Sequence, residues 1–301
     1  MDQFRQEENQ TLSFACHLFG IDRQVYYRSI KRKEVKIFKA EVVVDMILEV
    51  RKTMPMIGGK KLYYILNKEL QSLDIGRDKF FAIMKANHLF IQPRRRYHVT
   101  TNSKHRFKKH DNLILNIDIK RPNQVWVSDI TYIGRREKPR YLSLVTDAYS
   151  KRIMGFNVAD NLNAESSVKA LKMALRERKS KGLPLIHHSD RGLQYCSNIY
   201  QEILSKHKVL CSMTQNSDPY ENAVAERING ILKQEFKIDQ YDLELEEIGK
   251  LVKESVHTYN HKRPHISNYL LTPHEMHQQS EIKMKTYKSK KNSSNIDATT
   301  V

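Results

Sequence analysis

The chain has 301 residues, 40% of them hydrophobic, enough for about two or three domains and at least one sizeable core. Its 52 Lys and Arg against 34 Asp and Glu leave a formal net charge of +18, a surplus that points to a polyanionic partner, nucleic acid being the usual one. Cys16, Cys196 and Cys211 are odd in number and lack CxxC spacing, which argues against a disulfide framework and a Cys-rich zinc site and fits a reducing cytosol.

The first ten residues, MDQFRQEENQ, are polar and predict no signal peptide. No apolar run approaches the roughly 20 residues that cross a bilayer, so a cytoplasmic, nucleoid-associated protein without a membrane partner is expected. Residues 11–31 read as helix, turn, helix. Thr11 caps the first helix, Gly20 breaks it and Asp22 caps the second. Residues 32–38 read as a basic link, and a first helix-turn-helix-like segment is expected over 1–34. Residues 39–53 are helical, with apolar positions at 42, 43, 46, 47 and 50. Pro55 and the pair Gly58-Gly59 end that helix. Helices over 60–70 and 77–89, separated by a turn at 72–76, complete a trihelical DNA-binding domain expected over 35–91. Its last helix presents Arg77, Lys79 and Lys85, cations suited to major-groove docking; a helical bundle with a solvated basic face has the same composition. Residues 92–120 interleave cations with aromatics and His and read as a basic linker, either lying along phosphates or serving as a plain joint.

From Asn123 the pattern changes. Three strands are predicted over 125–133, 141–150 and 151–160. A helix follows over 163–180, with its apolar stripe at 168, 171, 174 and 175. Then come a strand over 183–190, a helix over 197–208 capped by Ser197, a short strand over 210–215 and a helix over 222–236. This order predicts an α/β domain over 121–281, a mixed five-stranded sheet flanked by helices. One more helix over 243–260 is stopped before Pro264. Residues 282–301, basic and then Ser/Asn/Thr-rich, read as a disordered tail.

Three acids stand out within that domain. Asp129 sits mid-strand in VWVSDITYI, Asp190 closes the apolar run of LIHHSDRGLQY, and Glu226 lies on the helix of PYENAVAERINGILKQEF. A carboxylate in a buried strand is costly unless paired or bound to a metal. Any one of the three alone reads more simply as a surface acid or a cap; together they predict a cation-binding pocket. Three carboxylates can hold two Mg²⁺ or Mn²⁺ ions through hard oxygen ligands. Two such ions about 4 Å apart serve an in-line phosphoryl displacement, in which water or a DNA 3′-hydroxyl attacks without a nucleophilic side chain.

Sixty residues separate Asp129 from Asp190, and thirty-five separate Asp190 from Glu226. With these spacings, the words WVSDITYI, HHSDRGLQY, PYENAVAERINGILKQEF and YNHKRPH (259–265) resemble the bacterial insertion-sequence transposases of the IS-three family, second-reading-frame product, in the retroviral-integrase-like DDE superfamily. The resemblance runs over about residues 35–280; one departure is Glu221, where that family more often has Asp. It implies a ribonuclease-H-like catalytic fold and a divalent-metal-dependent polynucleotidyl transferase that nicks 3′ ends and joins them to another phosphodiester. It further implies terminal inverted repeats and target DNA as substrates, assembly as a homo-oligomer on DNA, and a first-reading-frame protein, joined by frameshifting, as partner. A catalytically inactive DNA-binding regulator or decayed transposase, and a ribonuclease acting on RNA–DNA hybrids, are the rival readings; the intact triad opposes the first and the helix-turn-helix units the second.

Further residues are assigned around this triad. Lys233, seven residues after Glu226, projects from nearly the same helix face together with Asn222 and Asn229, while Val224, Ile228, Ile231 and Leu232 turn to the core. The family resemblance gives Lys233 a contact with the element end near the cut, and Asn222 and Asn229 are counted with it as DNA contacts. His188 is read as a DNA contact, as a residue that orients the metal site or as a structural histidine, and Arg263, with His265, either as a phosphate contact or as packing for the final helix. Trp126 is read as core. His257 and His261 are four apart, but HTYNH lacks the Glu of a metalloprotease motif.

Overall fold

The computed structural model describes residues 2–92, 110–115, 117–134, 139–179, 182–215 and 222–279. The tail from 282, most of the expected basic linker and Glu221 lie outside the described residues. The chain divides into two compact units, Met1–Lys52 with Ile65–Phe90, and Thr53–Tyr64 with Ile91–Val301.

The first unit is helical. It comprises α1 (Asp2–Glu7), α2 (Leu12–Leu18), most of α3 (Arg23–Thr53), α5 (Asn67–Ser72) and α6 (Arg77–Ala86). Thr11 caps α2 as its sequence predicts, its hydroxyl accepting from the Phe14 N–H at 3.3 Å. Gly20 turns the chain at φ +64, and the Asp22 carboxylate takes the Gln24 N–H at 2.6 Å. The expected basic link at 32–38 is not a link. α3 runs unbroken through it for 31 residues and through the expected boundary at 34/35. The reason is plain in KRKEVKI, which lacks Gly and Pro and is rich in Lys, Arg and Glu, all good helix formers. The buried apolar residues of this unit include Val43, Ile47, Leu66, Leu70, Phe80 and Met84. The expected helix over 60–70 is two short ones, α4 (Gly59–Ile65) and α5, parted at Leu66.

The second unit is built on a five-stranded sheet in the order β3-β2-β1-β4-β5. β1 is Val125–Ile133, β2 Arg140–Asp147, β3 Ile153–Ala159, β4 Ile186–Ser189 and β5 Leu210–Met213. β1, β2 and β3 form an antiparallel meander, whereas β4 and β5 run parallel to β1. Mixed pairing of this order, with crossover helices between the parallel strands, is the ribonuclease-H-like arrangement expected from the sequence. α7 (Ala164–Glu177), α8 (Leu193–Cys196) and α9 (Asn198–Lys206) join β3 to β4 and β4 to β5, and α10 (Ala223–Glu235) follows β5. α11 (Leu245–His261) and α12 (Pro273–Gln278) close the unit. Ser197 stands at the start of α9, but its hydroxyl donates to the Gln194 carbonyl at 2.7 Å rather than capping the helix.

The period of two along β1 sorts its side chains between two cores. Trp126 joins Met154, Leu171, Tyr195, Tyr200 and Met213 in one. Val125 and Val127 join Ala148, Ile186 and Ala225 in the other, with Ile114, Ile117 and Ile119 packed against it. Those isoleucines, counted with the linker by the sequence reading, therefore belong to the sheet domain; the Leu113 N–H donates to Ser212 Oγ at 2.9 Å. Gly155 on β3 is where α7 comes closest, since a Cβ there would stand 2.0 Å from the Ala170 carbonyl oxygen. No helix among the described residues is long and apolar enough to cross a membrane.

Candidate active site

The two aspartates meet through strand register. Ser128 of β1 pairs with Ser189 of β4, so Asp129 and Asp190 are the next residues along adjacent parallel strands, whose spacing is about 4.8 Å. Alternation turns Asp129 to the face covered by α10. There the Asn229 amide donates to Asp129 Oδ2 at 2.7 Å, and the Asn222 amide donates to the Ser128 carbonyl at 3.2 Å. Glu226 lies on the same helix, three residues before Asn229 and four after Asn222, so it shares their side of α10. At Asp190 the chain turns, and the Gly192 N–H donates to Asp190 Oδ1 at 3.0 Å.

The electrostatics record this convergence. Burial, then the neighbouring Asp190 carboxylate and more weakly Glu226, push the Asp129 carboxyl up to about 7, against the pull of its hydrogen bonds from Asn229 and the Ile130 backbone. Burial also raises the Glu226 carboxyl. Asp190 crowds Asp129 in mid-strand, Glu226 adds a weaker repulsion, and the Asn229 amide opposes them. Among the described residues, no three His, Cys, Asp or Glu side chains are gathered tightly enough to hold an ion in this structure. Glu226 is solvent-exposed on α10. The donor set is nevertheless suited to a hard divalent cation, because only oxygen is offered and added positive charge would relieve the repulsion that raises Asp129.

The remaining assigned residues divide. Lys233 is half-buried on α10; burial lowers its ammonium pKa, opposed by the carboxylates of Asp239 and Asp129. Asn222 and Asn229 are buried, at 7% and 4% exposure, and their amides are engaged with β1, so they brace the site and are not DNA contacts. His188 is fully buried, with Nδ1 2.9 Å from Ser212 Oγ, because alternation along β4 points it into the sheet packing. Arg263 is 1% exposed and binds the Glu235 carboxylate through Nε at 2.8 Å and Nη2 at 2.7 Å. Neither His188 nor Arg263 can meet a phosphate from there. Arg77, Lys79 and Lys85 are exposed on α6, Arg77 lying 5.9 Å from the Phe81 ring centroid.

One supporting group escaped the sequence reading. His187 is buried beside the aspartates' strands, its Nε2 2.8 Å from both Ser128 Oγ and Tyr200 Oη. Burial pushes its imidazole down to about 3, so it is a neutral linchpin. Its position opposite Trp126 in the β1–β4 register is the signal that it faces the same core. Trp126 is core, as read, with its indole N–H donating to Asn123 Oδ1 at 3.1 Å. His257 and His261 stack at 4.4 Å between ring centroids, and His274 lies equally close to His261.

Comparison with known proteins identifies relatives of the chain. Two family models, both described as integrase core domain, match residues 119–219 and 207–273. The chain is 31% identical over 258 residues to the insertion element IS600 uncharacterized 31 kDa protein of Shigella sonnei, covering 83% of this chain and 92% of that one. It is 40% identical over 114 residues to transposase InsF for insertion sequence IS3A of Escherichia coli strain K12, covering 38% of this chain and 39% of that one. Among solved structures, the catalytic core domain of HTLV-2 integrase in complex with magnesium aligns with 52% of this chain and 97% of its own, at 20% identity and a TM-score of 0.42.

Proposed function

Because the chain belongs to the IS3 family of insertion-sequence transposases with an integrase core domain, we propose that it is a DNA transposase that cuts and joins the ends of its own element by metal-dependent phosphoryl transfer. In the first step, water attacks the phosphorus at the element's end. The new P–O bond replaces the bond to the terminal 3′ oxygen, which leaves as a hydroxyl. In the second, that 3′-hydroxyl attacks a target phosphodiester, forming one P–O bond and breaking another, so no external energy source is needed.

The observation that carries this reading is the strand register that sets Asp129 beside Asp190, under the helix that carries Glu226. Asp129, Asp190 and Glu226 would hold the Mg²⁺ or Mn²⁺ ions, two per site. Bound there, the ions supply polarisation of the phosphoryl oxygens and a more acidic attacking hydroxyl. The chain's own residues do the rest. Asn229 keeps the Asp129 carboxylate turned toward α10. Asn222 ties the start of that helix to β1. Lys233, about two helix turns beyond Glu226 on α10, offers a cation to the end phosphate. Arg77, Lys79 and Lys85 contribute salt-dependent affinity along the duplex. Terminal inverted repeats and target DNA are the substrates, the working form is a homo-oligomer on DNA, and a first-reading-frame protein or a fusion with it supplies further end recognition.

A strand-transfer assay on labelled oligonucleotide ends in Mg²⁺ tests the proposal. Asp190→Asn should abolish both nicking and joining while end-DNA affinity is kept. Joining by that variant at the wild-type rate would remove the carboxylate site from the mechanism.

A further inference from the structure

The helix that carries Glu226 is gripped at its far end. Glu235 is the last residue of α10. Its carboxylate receives the Arg263 guanidinium in a two-pronged contact, and Lys61 Nζ donates to Oε1 at 2.7 Å. Its backbone carbonyl is one of the last-turn acceptors that an α-helix leaves without an internal donor, and it takes the Met56 N–H at 2.9 Å. Lys61 is 9% exposed and Arg263 1%. Met56 and Lys61 lie in Thr53–Tyr64, the N-terminal stretch that belongs to the same compact unit as the sheet.

Stability alone does not account for such a cluster. A buried ion pair replaced by apolar side chains of like volume is often neutral or stabilising. Here, moreover, two buried cations share one carboxylate. Burial and then Arg263 lower the Lys61 ammonium, and burial, Arg263 and Lys61 push the nearby His265 down to about 3. What the cluster does provide is a directional socket: two donors from Arg263, one from Lys61 and one backbone amide all converge on the end of a single helix.

Leverage connects that socket to the acids. Glu226 and Glu235 are nine residues apart on α10, about 13 Å along its axis, so a tilt of about 4° at the clamped end displaces the other by about 1 Å. Asp129 and Asp190 are fixed by strand pairing; exposed Glu226 depends on where α10 stands. We propose that Lys61, Arg263 and the Met56 amide form a clamp that sets the reach of Glu226 toward Asp129 and Asp190, making Lys61 and Arg263 positioning residues for strand joining. This rests on the three-acid site proposed above.

The test uses the full chain with Lys61→Met, Lys61→Arg and Arg263→Lys, and Asp190→Asn as control. Lys61→Met should melt as the wild type does and bind end DNA unchanged without metal. Its Mn²⁺ affinity, read in the absence of DNA from the loss of the free-ion EPR signal, should fall about tenfold, and joining at saturating Mn²⁺ should slow by about tenfold or more. Lys61→Arg should recover both. Wild-type Mn²⁺ affinity and joining in Lys61→Met would overturn the clamp, as would failure of Lys61→Arg to rescue. If Lys61→Met does not fold, Arg263→Lys, which keeps the charge and loses the planar fork, must show the same joint loss; normal Mn²⁺ affinity there overturns the clamp. Joining by Asp190→Asn would instead sink the underlying site, whereas an inactive Asp190→Asn beside a normal Lys61→Met sinks only the clamp.

Discussion

Asp147 and Asp129 lie on neighbouring strands of one sheet and meet opposite surroundings. Asp147 is fully buried and closes the β2–β3 turn. It accepts the Asn123 N–H, the Ser150 N–H and the Ser150 hydroxyl, each at 2.7 Å, with His277 Nδ1 at 3.6 Å. Asp129 has the Asn229 amide and the Ile130 backbone amide in its favour, and two more carboxylates against it. An acid ringed by donors has been given all it needs by the fold. An acid beside other acids keeps a repulsion that the fold does not offset and that a bound cation would relieve.

The largest way to sharpen this contrast is to neutralise each acid in turn. Asp129→Asn should lower joining by about 10³-fold or more and leave the fold intact. Asp147→Ala should do the reverse, destabilising the fold by about 3 kcal/mol, because the buried Asn123 and Ser150 N–H groups lose their acceptor. Urea titrations and joining assays on both variants check the pair; an unstable Asp129→Asn or a stable Asp147→Ala would break the comparison.

A second test uses pH without metal. The native Asp129 carboxyl stands at about 7, above its unfolded value of about 3.9. The native state therefore holds this proton more tightly. The stability it contributes is complete below about pH 4 and is lost as pH rises through about 7. In EDTA, Asp129→Asn should be more stable than the wild type at pH 8 by roughly 2–4 kcal/mol, and the gap should close near pH 4. Millimolar Mg²⁺ should narrow it at pH 8. A gap independent of pH in denaturant titrations would contradict the crowding.

Smaller effects follow around the same site. Asn229→Ala removes a side-chain donor to Asp129 and should weaken Mn²⁺ binding about tenfold, measured by EPR titration with folding monitored in parallel. On the helical unit, Lys85→Ala should weaken duplex binding only mildly and reduce the slope of log affinity against log salt by about 1. An unchanged slope would take α6 off the DNA.

Much of the sheet domain was readable from residue order. β1 matches its predicted span of 125–133, because a nine-residue run rich in Val, Ile, Trp and Tyr has few alternatives to a buried strand. The short helices α8 and α12, of four and six residues, escaped notice, since neither is long enough to show a period. The stretch 32–38 looked like a link because its charge suggested solvent, yet charge is no barrier to an exposed helix. The site divided in the same way. Asp129, Asp190 and Glu226 carried their signal in local context. Arg263 and Asn229 did not, because a cation and an amide in a motif read equally well as DNA contacts, and only burial and a specific partner decide. For Asn229, the three-residue spacing from Glu226 was the available hint that it would face Asp129.

The register that seats Asp129 beside Asp190 also governs when the enzyme becomes dangerous. Ser128 pairs with Ser189 across the whole meander and α7, and Glu226 comes from a helix made later still. A ribosome must deliver the chain through α10, and the parallel pairing must close, before any scissile phosphate could be engaged. If the three acids do the cutting, activity is thus tied to completion of the sheet domain, because the parts of the site are contributed by segments far apart in the chain.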